Sequence, residues 1–245
     1  MRHRLIALCP GVLRGRVRRV CSALAALLLV MFASGLGSGT AVGSEEEMTF
    51  TAATIRDRHC TRGRGCPAII AAVGRITERT PQMFLDFLEQ HGGRNLHAVV
   101  FLDSPGGGVM ASMEFGALLR QIGAAAVVAR VVMDGRGESV IVNAQCFSAC
   151  VYALIGARKR VIPRQSQVGI HRMFLSADGV DPATEAAVRA QHGDNRDMQA
   201  FLSRYTSKMG VSADLIARAE RTPSQSLYIL SQADIRRWHL GVPNL

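Results

Sequence analysis

Short apolar runs alternate with amphipathic stretches through the second half of the chain. The amphipathic stretches predict a helix over 109–122 and a shorter one over 148–155, each followed by a glycine. The apolar runs predict short strands, the first two fully buried, at 98–102, 125–132, 139–144, 161–163 and 168–170. Strands and helices alternating at this length indicate βαβ units, so the pattern predicts an α/β fold.

The segments before and after this alternating region have different patterns. Apolar residues at helical spacing after Thr80-Pro81 predict an amphipathic helix over 80–91, and the chain beyond Pro182 turns helical, with a stop at Gly210. Residues 44–67 are rich in arginine and glycine and are expected to be an irregular segment ahead of the domain.

The first 43 residues hold six arginines, no acidic residue and an apolar stretch at 20–36. This composition predicts an export signal whose positive flank stays in the cytoplasm. The apolar stretch is longer than the usual core of a cleaved signal and shorter than a full membrane span. Cleavage near 41–43 and retention as a membrane anchor therefore both remain open. The predicted division is a leader at 1–43, an extension with the first helix at 44–94, and an α/β domain at 95–245. We expect the domain outside the cytoplasm, either periplasmic or anchored to the inner membrane.

The net charge of +10 does not indicate a nucleic-acid partner. Much of the excess lies in the leader, and the remaining chain is close to balanced. Aromatic residues make up 5% of the sequence, too few to form a stacking platform between the arginines. No nucleic-acid binding is therefore expected.

Four cysteines follow the leader, an even number in a compartment where disulfides persist. Sequence alone allows three pairings, and the local ones are favoured, Cys60 with Cys66 and Cys146 with Cys150. A zinc site and buried reduced thiols are the alternatives. Because the spacings lack a nearby histidine pair and the chain has no His-Glu-x-x-His motif, we expect no metal.

Three segments together could carry acyl transfer, which needs a nucleophile, a base and donors for an oxyanion. Ser148 follows a predicted strand and precedes a helix, where the N–H of Ala149 could face a negative oxygen. The turn that contains Gly106 and Gly107 brings backbone close to a substrate carbonyl, with Gly107 N–H as the second donor. His171 ends a strand and is the candidate base. Each feature alone is common as an N-cap, a turn or a strand end, but their order favours chemistry.

These segments resemble the proteolytic subunit of Clp protease and its ClpP/crotonase-type relatives. Asp103–Val109 resembles the family's Asn-Ser-Pro-Gly-Gly-x-Val, and Cys146–Val151 lies on its Ala-Ala-Ser-Met-Gly-Ala segment. Gly156–His171 resembles the stretch that begins Gly-Lys-Arg and ends Met-Ile-His. The Cys-x-Ser-Ala-Cys form resembles a branch of exported bacterial ClpP-like proteins more than it resembles the cytoplasmic protease. The likeness covers about residues 95–242 and implies a repeated βαβ superhelix with C-terminal helices, and self-association.

The third member of the expected triad departs from the family. Relatives carry Asp in a Glu-Arg-Asp segment, whereas this chain has Glu220-Arg221-Thr222, or Leu227 in an alternative alignment. Loss of that acid removes the group that holds the histidine tautomer. A slow Ser-His dyad, substitution by Glu220 or Ser224, and an inactive site all remain open. Lys159 as a serine-lysine base is disfavoured because it aligns with a structural Lys-Arg pair.

Two functions follow from this sequence. The first is an exported serine endopeptidase acting on peptides or unfolded proteins through Ser148 and His171. The second is a catalytically inactive ClpP-like binding or assembly module. Chemistry on coenzyme A thioesters is disfavoured because that cofactor is cytoplasmic, so no cofactor is expected. No ATPase partner is expected outside the cytoplasm, and the membrane is a partner if the leader is retained.

Overall fold

The computed structural model describes residues 46–54, 68–91, 96–136, 139–173 and 196–244, all within the unit Glu45–Leu245. The predicted leader and the Cys60–Cys66 pairing lie outside these residues. No helix in these ranges is long and apolar enough to cross a membrane.

Strands and helices alternate along the described chain. In chain order they are β1 (Thr49–Thr54), β2 (Ala68–Val73), α1 (Thr80–His91), β3 (Leu96–Asp103), α2 (Val109–Gln121), β4 (Ala125–Val127), β5 (Ala129–Met133), β6 (Ser139–Asn143), β7 (Gln145–Phe147), α3 (Cys150–Gly156), β8 (Lys159–Val161), β9 (Gln167–Ile170), α4 (Arg196–Lys208), α5 (Asp214–Glu220), β10 (Tyr228–Ile229) and α6 (Gln232–Arg237).

The main sheet has the order β1-β2-β3-β4-β8. Its last four strands run parallel and β1 is antiparallel at the edge. Alternate residues of β3 enter two apolar clusters: Val100 and Leu102 join the larger one beneath the helices, and Phe101 joins a smaller one on the opposite face. Burial on both faces is typical of parallel strands, and the predicted mixed α/β class is confirmed.

A second sheet carries the candidate chemistry. Its order is β10-β9-β7, with β7 and β9 parallel and β10 antiparallel to β9. Ser104, just beyond β3, donates its N–H to Gln145 O at 2.8 Å, and its own O accepts from Phe147 N–H at 3.0 Å. The two sheets therefore meet where the glycine turn and the Ser148 segment begin.

Two sequence expectations were wrong. The segment 44–67 is not irregular throughout, because β1 pairs with β2 along its whole length. The single strand expected over 125–132 divides at Val128, whose N–H donates to Val161 O at 2.9 Å before the chain leaves the main sheet. There β5 pairs antiparallel with β6, and this hairpin exposes Ile141.

Candidate active site

Ser148 occupies a sharp turn between β7 and α3. Its φ of 53° lies in the left-handed region, which few residues other than glycine adopt. The Ser148 N–H donates to Gly169 O at 2.8 Å, which ties the turn to β9. Because Ser148 is not helical, α3 begins at Cys150, two residues later than the sequence predicts. A strained turn that projects a serine from a strand end is a known way to present a nucleophile.

A disulfide brackets this turn. Cys146 at the centre of β7 and Cys150 at the start of α3 are bonded, with Cα atoms 5.3 Å apart. Both cysteines are fully buried. The predicted local pairing is therefore present, and it links the residues two positions before and two after Ser148.

The glycine turn packs directly against Ser148. A Cβ on Gly106 would lie 2.8 Å from Ser148 Cβ, and one on Gly107 would lie 1.9 Å from Ile76 O. Both glycines have positive φ, 116° and 137°, so a side chain is excluded on two grounds. Gly106 therefore lets the turn approach the nucleophile, and Gly107 lets it lie against the Ile76 backbone.

The N–H groups around this turn are not equivalent. Gly106 N–H donates to Ser104 Oγ at 3.1 Å, so Gly106 shapes the turn and its N–H is already engaged. Among the described residues, the backbone hydrogen bonds near the turn use the N–H groups of Gly108 and Ser148, and neither Gly107 nor Ala149 donates to a backbone carbonyl. Gly107 and Ala149 are thus the two predicted donors that can serve an oxyanion.

Ser148, His171, Gly107 and Ala149 line one pocket of about 160 Å³. The four candidate groups come from three separate segments, which the hydrogen bonds of Ser104 to β7 and the pairing of β7 with β9 bring together. Other lining residues are Arg75, Pro105, Val109, Val151, Tyr152, Ile170, Met173, Leu215 and Ala219. The lining therefore combines polar groups, Arg75 among them, with apolar side chains.

His171 lies just beyond β9 and is half-buried. Its Nδ1 is 2.7 Å from the carbonyl oxygen of Arg172. A carbonyl only accepts hydrogen bonds, so this contact is a hydrogen bond in the tautomer that carries its proton on Nδ1. The neutral ring then has Nε2 as its basic nitrogen, as a general base requires.

Glu220, the acidic candidate for the third position, is the last residue of α5. Its Oε2 lies 3.9 Å from Arg172 Nε, and its backbone O accepts from Arg172 Nε at 2.9 Å and Nη2 at 2.8 Å. Burial raises the pKa of the Glu220 carboxyl, and the Arg172 guanidinium offsets part of that rise. The contacts of Glu220 thus go to Arg172.

Several pocket residues are absent from the sequence-based set. Leu215 and Ala219 lie one turn apart on α5, so the helical periodicity there was the available signal. The sequence pattern did not identify Arg75, because it follows a strand that was not predicted. It did not identify Tyr152, because that residue has the pattern of a core position. Tyr152 is 8% exposed, and burial raises the pKa of its hydroxyl, with the Glu220 charge acting in the same direction.

Comparison with known proteins found no matching family model and no matching curated protein. Two similar solved structures are both of the 1510-N membrane-bound stomatin-specific protease. A serine-to-alanine mutant aligns at 19% identity and TM-score 0.45 over 70% of this chain and 76% of that chain. A lysine-to-alanine mutant in complex with a substrate peptide aligns at 19% identity and TM-score 0.46, over 70% of this chain and 72% of that chain. At these TM-scores the likeness carries no conclusion about activity.

Proposed function

We propose that this chain is a serine endopeptidase, with Ser148 as nucleophile and His171 as general base. The observation that carries the proposal is the shared pocket, in which Ser148, His171 and the Gly107 and Ala149 backbone meet. A serine in a left-handed turn, a histidine with its proton on Nδ1 and two N–H groups without backbone acceptors together form the set that acyl transfer requires.

In the proposed reaction His171 Nε2 takes the proton of Ser148 Oγ as the oxygen attacks the scissile carbonyl carbon. The carbonyl oxygen becomes an oxyanion held by Gly107 N–H and Ala149 N–H. The protonated imidazole then gives its proton to the leaving amine as the C–N bond breaks, which leaves an acyl-enzyme on Ser148. A water molecule, deprotonated by His171, attacks the ester, and the acid product leaves with Ser148 Oγ reprotonated.

The apolar part of the pocket favours substrates with an apolar side chain beside the cleaved bond. Met173, Leu215 and Val151 line this part, and none of them carries a charge. An apolar side chain placed there gains free energy by leaving water, whereas a charged one loses its hydration without a partner among these three residues.

The wider setting is part of the same proposal. The leader composition supports export, with the domain in the periplasm or held at the inner membrane. The resemblance to ClpP/crotonase-type proteins supports a repeated βαβ superhelix and assembly into a homo-oligomer. Substrates would then be short peptides or unfolded segments, because an ATP-driven unfoldase has no energy supply outside the cytoplasm.

The first prediction concerns covalent labelling of the full chain with a fluorophosphonate probe, which reports an activated serine. Wild type is expected to label at Ser148, whereas Ser148→Ala is expected to abolish labelling and His171→Ala to slow it by at least about 10³-fold. The matched control is Ser207→Ala, which removes an exposed hydroxyl of α4 and should label like wild type.

Two results would overturn the proposal. Equal labelling of wild type and Ser148→Ala would show that another residue reacts. A folded wild type that neither labels nor cleaves unstructured peptides would favour the inactive binding or assembly module.

A further inference from the structure

The environment of His171 suggests how its ring is held in a chain that departs from the family's Glu-Arg-Asp segment, an inference that rests on the proposed peptidase function. A triad acid normally accepts the hydrogen bond from Nδ1–H and so holds the ring tautomer and orientation. Here the Arg172 carbonyl oxygen accepts from the same atom at 2.7 Å. We propose that this backbone carbonyl takes the place of the third triad member.

The carbonyl can orient the ring only if its own peptide is held in place. The Arg172 N–H donates to Thr222 O at 2.8 Å, and the Arg172 guanidinium donates twice to Glu220 O. Backbone and side chain of Arg172 are therefore both fixed to the segment Glu220–Thr222, at the end of α5. This segment is where the family resemblance places an acid, and here it positions Arg172 instead.

The side chains of Thr222 and Glu220 contact Arg218 and Arg172. Thr222 is 8% exposed, and its Oγ1 donates to Arg218 O at 3.1 Å. The Glu220 carboxylate faces Arg172 at 3.9 Å, and only its backbone oxygen makes the short contacts. Glu220 is thus a positioning residue through its carbonyl, a group that substitution of its side chain does not remove.

Strand β9 completes the link to the nucleophile. Ser148 N–H donates to Gly169 O, and Leu230 N–H donates to Val168 O at 2.8 Å, so β9 is held on both sides just before His171. A rotation of the Arg172 peptide would therefore change the ring orientation while leaving the Ser148 turn anchored. The expected result is a loss in turnover rather than in binding.

The second prediction compares side-chain and backbone roles by peptide-cleavage kinetics. Arg172→Ala removes the guanidinium anchors and is expected to lower kcat about tenfold, with KM changed less than about twofold. Arg172→Lys, which retains a cationic donor, is expected to recover part of that loss. Glu220→Gln keeps the anchoring carbonyl and is expected to lower kcat by no more than about threefold. The matched control is Arg221→Ala, which removes a neighbouring exposed arginine.

A carboxylate in the third position would behave differently. Glu220→Gln would then lower kcat by about 10³–10⁴-fold, because the ring would lose its tautomer partner. That result would overturn the proposal, as would an Arg172→Ala variant with wild-type kcat.

Nitrogen NMR of the neutral His171 ring in the full chain gives a readout independent of activity, with His171→Gln used to assign the signal. The proposal requires the Nδ1–H tautomer. An active wild type with the Nε2–H tautomer would overturn the carbonyl's role alone. A wild type with the Nδ1–H tautomer but no probe labelling would overturn the peptidase function, and the catalytic role of the carbonyl with it.

Discussion

At the scale of single residues, the contacts of Thr222 explain why an aspartate at this position is not expected to restore the family's Glu-Arg-Asp motif. The alignment on Glu220-Arg221 places the family's aspartate there, but the Thr222 hydroxyl donates to Arg218 O in a buried position. An ionised carboxylate can only accept hydrogen bonds, so it cannot replace this donor.

The third prediction follows for Thr222→Asp. We expect no gain in kcat and a loss of about 1–3 kcal/mol in the free energy of unfolding, because the hydroxyl hydrogen bond to Arg218 O is lost and a carboxylate enters a buried position. Urea unfolding and peptide-cleavage kinetics measure the two effects. Thr222→Val separates loss of the hydroxyl from introduction of charge. A tenfold rise in kcat for Thr222→Asp would show that the side chain reaches His171 after all.

At the scale of elements, β7, the Ser148 turn and α3 act as one unit closed by the Cys146–Cys150 disulfide. A left-handed serine costs of order 1–3 kcal/mol and persists only when its surroundings hold it. The disulfide and the Ser148 N–H contact to Gly169 provide that restraint on either side of the turn.

The fourth prediction is that the double variant Cys146→Ala/Cys150→Ala labels with the fluorophosphonate probe about tenfold more slowly. A tenfold change in rate corresponds to about 1.4 kcal/mol in the activation free energy. The chain-entropy argument for so short a loop gives a loss of about 2 kcal/mol in unfolding free energy. The variant's labelling rate should not respond to dithiothreitol. A variant that labels at the wild-type rate would show that backbone contacts alone hold the turn.

Elements were predictable from sequence where local pattern determines them, and not where pairing does. The helix over Thr80–His91 has its predicted bounds because a proline start and an apolar stripe suffice. In contrast, β1 consists of threonine and alanine apart from Phe50, and it becomes a strand through its partner β2. Ser148 and His171 were identifiable by residue type, whereas the Arg172 carbonyl was not, because every residue carries one.

At the scale of the whole molecule, Arg160 joins segments that are distant in sequence. From β8 its guanidinium donates to Leu240 O at 2.7 Å, to His239 O at 3.1 Å and to Met209 O at 3.3 Å. Burial, with a smaller effect from Arg120, lowers the pKa of this guanidinium, although an arginine keeps its proton at neutral pH. The C-terminal segment is thus held to the edge of the main sheet.

The fifth prediction is that Arg160→Lys lowers the free energy of unfolding by about 2–4 kcal/mol, because an ammonium cannot span the separated carbonyls that a guanidinium reaches. Urea denaturation measures the change. Arg158→Lys, at an exposed neighbouring position, serves as the control and should lie within about 0.5 kcal/mol of wild type. An equal effect of the two substitutions would contradict a special role for Arg160.

The contact between His171 and the Arg172 carbonyl has a consequence for how this site can diverge. Every residue type has a main-chain carbonyl, so a substitution at position 172 can misalign this acceptor but cannot remove it. A carboxylate acceptor can be lost in one substitution. Proteins built in this way would lose activity gradually, and a comparison of catalytic side chains alone would classify them as inactive enzymes.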